Sequence, residues 1–232
     1  LRQRGVEVIY ITEDFKGADS DDLVLGVKQF LARQESKDKS RDVIRGMLSR
    51  ITQGHGSSGH AYGFSRAAYD EHGTLLGVYK RGEQRPKIPG QRVRVTPIPG
   101  DPQEVAVVQR IFDCYVNRGM GKWAIARMLN TEGIPAPRAP RAKRWGLCAI
   151  DFMLRNHAYI GWLVYNKRGK AKFHRIVRQG DQQFGAEDKG KLKAGQAESN
   201  PELQWIIVKD AHKPIISEAL FWKAQQVRKE RS

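Results

Sequence analysis

The sequence predicts an α+β fold: one long bridging helix, then a mixed domain of short helices and short strands. Three observations predict it. From Asp21 to about Gln53 there is no proline and only two glycines, Gly26 and Gly46, so one helix can run throughout. From Asp101 to Asn156 three shorter helical patterns follow one another. Around them lie brief β-branched or aromatic runs at Phe64–Tyr69, Thr74–Tyr79, Arg92–Thr96 and Ile160–Tyr165, long enough only for small sheets.

Taken in order, Val6–Ile11 reads as a buried strand with no partner strands near it in sequence, as if a domain were cut. In the long helix, Leu23, Val27, Phe30 and Leu31 make one apolar stripe, and Val43, Met47, Leu48 and Ile51 make another. The polar stretch Arg33–Arg41 between them suits a bridge, and Ser20 or Asp21 can cap its start. Gly54–Gly63 reads as a linker, Glu71-His72-Gly73 as a turn, and Arg81–Pro89 as an irregular basic loop.

Asp101 then caps a helix, Pro102 takes its first position, and Glu104 stands where a capping box needs it. Val105, Val108, Ile111, Phe112 and Tyr115 form its apolar face, and Gly119 stops it. Lys122–Asn130 is a second helix with Trp123, Ile125, Met128 and Leu129 inward; Gly133 ends it. A Pro/Ala/basic arm, Pro135–Lys143, leads to a third helix at about Gly146–Asn156, packing Leu147, Ile150, Met153 and Leu154. Ile160–Tyr165 and Lys172–Arg178 are expected to pair as a hairpin with a basic tip at Asn166-Lys167-Arg168-Gly169. Gln179–Pro201 reads as a mobile insertion, Gln204–Val208 as a returning strand, and Ser217 as the cap of a last helix. These shifts place boundaries at 1–53, 54–64, 65–202 and 203–232.

Charge narrows the function. Residues 138–178 hold eleven Lys or Arg against one acidic residue, Asp151, so this segment carries +10 of the chain's +16. Such a field attracts a polyanion, and counterion release supplies much of nucleic-acid affinity. Trp145, Tyr159, Trp162 and Tyr165 interleave with the cations and imply a folded scaffold beneath them. Cys114 and Cys148 lie 34 residues apart with no CxxC pair, which excludes a zinc ribbon in this span. Both cysteines fall in apolar helical patterns and are expected to be buried thiols. No run reaches ~18 apolar residues and no signal peptide opens the chain, so no membrane partner and a cytoplasmic setting are expected. The histidines, His55, His60 and His72 among them, match no ligand spacing, so no metal is expected. No hydrolase, phosphate-loop or dinucleotide fingerprint occurs.

Several motifs carry a family resemblance. Arg33-Gln34-Glu35-Ser36 with Ser40, after Gly5-Val6-Glu7-Val8, resembles the end of a serine-recombinase catalytic domain. Ile98-Pro99-Gly100-Asp101-Pro102, Val107-Val108-Gln109-Arg110-Ile111-Phe112 and Ile125–Pro135 follow in order. So do Trp145, Ile150, Met153–Asn156 and Tyr159-Ile160-Gly161; together they resemble the large serine recombinases, phage integrases and related transposases. The resemblance implies a resolvase-like remnant at 1–53, a DNA-binding domain at 65–202, and a strand and helix at 203–232 leading towards a zinc ribbon. It implies attack of a serine on DNA phosphate, a phosphoserine link that conserves the bond energy, no cofactor, and a homodimer or tetramer in the full-length protein.

The family's Tyr-x-Arg-x-Ser type segment is absent from these 232 residues, so no catalytic residue is assigned and the chain alone is expected to be inactive. Glu35 matches a position near the family's active site, but equally reads as a solvated helix carboxylate. Double-stranded DNA is the expected partner. The expected contacts are Arg138, Arg141, Lys143 and Arg144 on the arm, and Lys167, Arg168 and Lys170 at the hairpin tip. Arg41, Arg45 and Arg50 are expected along the long helix, and Arg155 at a base edge, a phosphate or its helix end. Trp123, Trp145 and Trp162 are expected in the core rather than as stacking platforms. The alternative is a helix-turn-helix regulator or architectural protein without catalysis, which would need neither the orphan strand nor the long helix.

Overall fold

The computed structural model describes residues 19–55, 61–83, 93–137, 143–169, 173–180, 183–188 and 198–231, with side chains from residue 23 onward. The strand expected at Val6–Ile11, the tip of the Gly-rich linker, and Arg138, Arg141 and Lys170 lie outside the described residues.

Helix α1 (Asp19–Thr52) is the expected bridge. Leu23, Val27, Phe30 and Leu31 are exposed on it, whereas Ile44 and Ile51 are buried. The helix closes where the Thr52 hydroxyl returns to the Leu48 carbonyl at 3.0 Å and Gly54 takes a φ of 76°. Strands β1 (Phe64–Tyr69), β2 (Leu75–Tyr79) and β3 (Arg94–Pro99) form an antiparallel sheet in the order β2-β1-β3. The β1–β2 turn forms because the Asp70 carboxylate accepts from the amides of His72 (2.9 Å) and Thr74 (2.8 Å).

Helices α2 (Pro102–Val116), α3 (Lys122–Thr131), α4 (Leu147–Leu154) and α5 (Glu218–Glu230) bury one core against this sheet. Phe112, Leu154, Tyr159 and Phe221 are each no more than 1% exposed at its centre. The Asp101 carboxylate caps α2 through the Gln103 amide at 2.8 Å, and the Ser217 hydroxyl caps α5 through the Leu220 amide at 3.3 Å. Glu104 serves a different purpose from the expected capping box. Its carboxylate accepts from the Gly63 amide (2.9 Å) and from Arg81 (3.2 Å). The end of the linker is thereby drawn into the body: Tyr62 is buried, and the Tyr159 hydroxyl donates to its carbonyl at 3.1 Å.

The expected Ile160–Tyr165/Lys172–Arg178 hairpin does not form. Residues His157–Ile160 make a 3-10 turn, capped by Asn156 and closed by Gly161 at φ 81°. A Cβ at Gly161 would stand 2.5 Å from the His212 carbonyl oxygen, so the chain can approach this closely only at glycine. The shortened β4 (Leu163–Tyr165) pairs with β9 (Ile206–Val208) through long-range contacts that local spacing does not encode. In the described part, β5 (Arg168–Gly169) pairs with β8 (Glu198–Ser199), and β6 (His174–Arg178) with β7 (Phe184–Asp188). The insertion expected to be mobile therefore supplies strands. Buried Asn166, at φ 62°, donates to the carbonyls of Ile176 (3.1 Å) and Gln204 (2.8 Å) and so ties these pieces together. Helix α1 lies along them: Ile51, Leu163 and Ile206 form a second, smaller core, which we call the ledge.

Candidate nucleic-acid interface

The basic arm springs from a fixed base. The Asn130 side chain bonds Trp145 twice, accepting from its amide (2.8 Å) and donating to its carbonyl (3.0 Å). The Trp145 indole donates to the Ile134 carbonyl at 2.9 Å, and its ring meets Tyr62 edge-on at 5.3 Å. The two ends of the 135–144 segment are thus held together at the base of α3 and α4. Lys143 and Arg144, at its second end, are exposed. Arg110 grips Glu132 with both guanidinium nitrogens (2.6 Å for Nη1), fixing the turn after α3 to α2.

Helix α4 presents Leu147, Cys148, Phe152 and Arg155 outward, with Phe152 66% exposed. Cys148 is accordingly an exposed thiol, against expectation, because it lies on the face opposite Ile150 and Leu154; Cys114 is buried as expected. Leu147, expected to pack inward, lies on the side of Ile150 and Leu154 but is exposed at the first position of the helix. Arg155 is no free base-reading cation: it pairs with Asp151, to which Lys122 also donates at 2.9 Å, and Arg228 lies 3.9 Å away. Burial pushes the Asp151 carboxyl up, but the Lys122 hydrogen bond and the charges of Arg155, Lys122 and Arg228 outweigh it and hold it below the usual range. Trp145 and Trp162 are buried as expected, but Trp123 is 61% exposed on α3, with the Arg127 guanidinium 5.3 Å from its ring. The inward position expected for Trp123 falls to Ile125, Ala126 and Leu129 instead.

The other expected cations divide. Lys167 is half-buried, with its ammonium 4.7 Å from the Trp205 ring, and burial lowers its pKa; it caps an aromatic cluster rather than a hairpin tip. Arg168 remains exposed on β5. On α1, Arg41 donates to His174 Nε2 (3.2 Å) and Asp38 (3.3 Å), and Arg45 pairs with Asp42 (3.3 Å). Arg41 and Arg45 share a face; exposed Arg50 lies about 180° round the helix from Arg41. Glu35 is a solvated helix carboxylate, held low by Lys39 at 2.6 Å. Among the described residues no three His, Cys, Asp or Glu side chains are grouped to hold a metal, and no helix is long and apolar enough to cross a membrane.

Sequence reading passed over Lys122, Arg127, Arg228 and Arg231, which the fold brings beside α3 and α4. The run Arg228-Lys229-Glu230-Arg231 signalled cations there, but its nearness to Lys122 is long-range information.

The Recombinase family pattern matches residues 102–231, more than half of the 232-residue chain. The chain belongs to the recombinase family. The match begins at the Pro102 start of α2 and runs to the end of α5, so the recombinase region coincides with the helical body, the ledge strands and the arm. The resemblance carried by Val107–Phe112, Ile125–Pro135 and Tyr159–Gly161 is borne out, and those residues supply the α2–α3 core, the Asn130–Trp145 clasp and the Gly161 contact. A crystal structure of an LSR–DNA complex is similar over 82% of this chain and 38% of that chain, at 14% identity and a TM-score of 0.41. The chain thus spans well under half of the length of that relative.

Proposed function

We propose that this chain is the DNA-binding central part of a site-specific serine recombinase, recognising duplex attachment-site DNA for strand exchange performed by the whole protein. The observation that carries this reading is the clasped basic arm beside an outward-facing α4, within a segment of net charge +10. A charged segment pinned at both ends keeps its cations near one duplex without a large ordering cost. In this reading Arg138, Arg141, Lys143, Arg144 and Lys170 meet phosphates or the minor groove, Arg168 and Arg50 meet backbone further along, and α4 offers the exposed Phe152 ring to the major groove. Arg41, Arg45, Arg155 and Lys167 act through the scaffold, since each already has a partner in the fold.

The test is binding to a duplex attachment site across a salt series, with structured RNA as competitor. Affinity falling steeply with salt, preference for the duplex, and no covalent protein–DNA product are the expected outcome. Salt-insensitive binding, or preference for RNA, overturns the reading of the charge; a covalent adduct formed by this chain alone overturns the assignment of no nucleophile.

A further inference from the structure

We propose that the cleft between α2, the start of α3, α4 and the end of α5 is a built site for one phosphate of the DNA backbone. The proposal rests on the DNA-binding reading above and goes further, by naming a contact outside the basic arm. The cleft has a volume of about 600 Å³ and is lined by Tyr115, Gly121, Lys122, Asp151, Arg228 and Arg231 together with neighbouring residues of α5.

Three features of different origin converge there. Tyr115 is 1% exposed, and its hydroxyl has no hydrogen-bond partner in the structure. Burying a hydroxyl without an acceptor is unfavourable, and a phosphate oxygen supplies the acceptor. Helix α3 begins at Gly121 with no side-chain cap, so its first-turn amides and the positive end of its dipole are left for an anion. Lys122, Arg228, Lys229 and Arg231 outnumber the one carboxylate, Asp151, among the lining residues. Arg231 is held in place: it donates to the carbonyls of Met120 (3.2 Å) and Gly119 (3.1 Å), with its guanidinium 5.1 Å from the Tyr115 ring. Of its N–H groups, those not used on carbonyls remain for a ligand. Hydroxyl, amides and guanidinium are all donors, and a phosphate accepts from several at once where a neutral ligand does not. The DNA backbone is favoured over free phosphate because Lys122 leads directly to exposed Trp123 and Asp151 to exposed Phe152, making the cleft continuous with the α3–α4 face.

The experiment compares the intact chain with Tyr115→Phe and Arg228→Gln, measuring duplex affinity, thermal midpoint, and binding to duplexes carrying one neutral methylphosphonate at a time. Tyr115→Phe is expected to weaken duplex binding by about ten- to a hundredfold, one hydrogen bond to a charged group, with no fall in thermal midpoint because the removed hydroxyl has no partner. One methylphosphonate position is expected to weaken the unsubstituted chain and to matter no longer in Arg228→Gln. Duplex binding by the unsubstituted chain with unchanged affinity in both variants overturns the cleft and leaves the DNA reading intact. No duplex binding by the unsubstituted chain overturns both. A midpoint raised by inorganic phosphate and lost in Tyr115→Phe, with duplex affinity unaltered, assigns the site to free phosphate and overturns the DNA source.

Discussion

The helical body and the ledge bury apolar surface in unlike ways. In the body, Phe112, Leu154, Tyr159 and Phe221 lie in one cluster roofed by four helices and a sheet. On the ledge, Ile51, Leu163 and Ile206 are the buried members of the cluster; α1 adds buried Ile44 and half-buried Leu48, and polar ties such as Lys37–Asp188 (3.4 Å) and Arg41–His174 (3.2 Å) supplement them. Exposed ion pairs contribute only ~0–1 kcal/mol each. The difference teaches that the long helix is docked, whereas the body is interlocked, so the two should come apart in that order.

The largest expected effect separates them directly. Phe112→Ala should cost ~3–5 kcal/mol and lower the denaturant midpoint of the whole chain, since the cavity lies where four elements meet. Ile51→Ala should cost about 2 kcal/mol, at the low end for such truncations because half-buried neighbours can collapse into the gap. Hydrogen exchange is the check. Ile51→Ala should speed exchange in α1 and β6–β7 while α2–α4 keep their protection; uniform acceleration would show one cooperative unit and erase the comparison.

The same contrast explains what was legible in the sequence. Helices α1, α2, α3 and α5 declare themselves locally, through an unbroken Asp21–Gln53 run, the Asp101-Pro102 start, the Gly133 stop and the Ser217 cap. The ledge does not, because β4 pairs with β9 across some forty residues and Asn166 joins three segments through side-chain bonds. Tyr165 and Lys172 looked like hairpin neighbours only because they are near in sequence. At the candidate interface the arm was visible as composition, and Trp145 as core. Arg155 takes the helix-end role that its position allowed, donating to the Asp151 carbonyl, but its ion-pair partner, Asp151, is shared with α3 and α5 in a way that spacing does not show. Trp123 was misplaced because an aromatic at a helix start satisfies the apolar pattern whether it faces in or out.

Acid should loosen the body by a route of its own. Burial against Trp162, Phe221 and Trp222, and then the Lys167 charge, push the His157 pKa down to about 4. The fold therefore favours the neutral ring: its contribution is fully present above the unfolded value of about 6.5 and is lost as pH falls from there through about 4. His212, whose pKa burial also lowers, adds a slope of the same sign. Thermal midpoints of His157→Gln against the parent chain should converge as pH drops across that window. Parallel curves would place the acid sensitivity elsewhere, for instance in carboxylates of the ledge.

The smallest effect tests how α3, one of the body's two helices without a side-chain cap, is used. Gly121 sits in extended backbone (φ −71°, ψ 155°), the geometry of a capping residue, and a Cβ there meets nothing within 4 Å. Gly121→Ser should therefore cap α3 through its own hydroxyl and raise stability by a few tenths of a kcal/mol. Glycine at that position forgoes this gain, whereas α2 and α5 take it through Asp101 and Ser217. If the α3 amides serve a phosphate, the serine oxygen competes for them, and Gly121→Ser should be more stable yet bind duplex DNA less tightly. A variant that gains stability with undiminished affinity would make α3 an ordinary capped helix, and the body would then meet DNA through its arm and α4 alone.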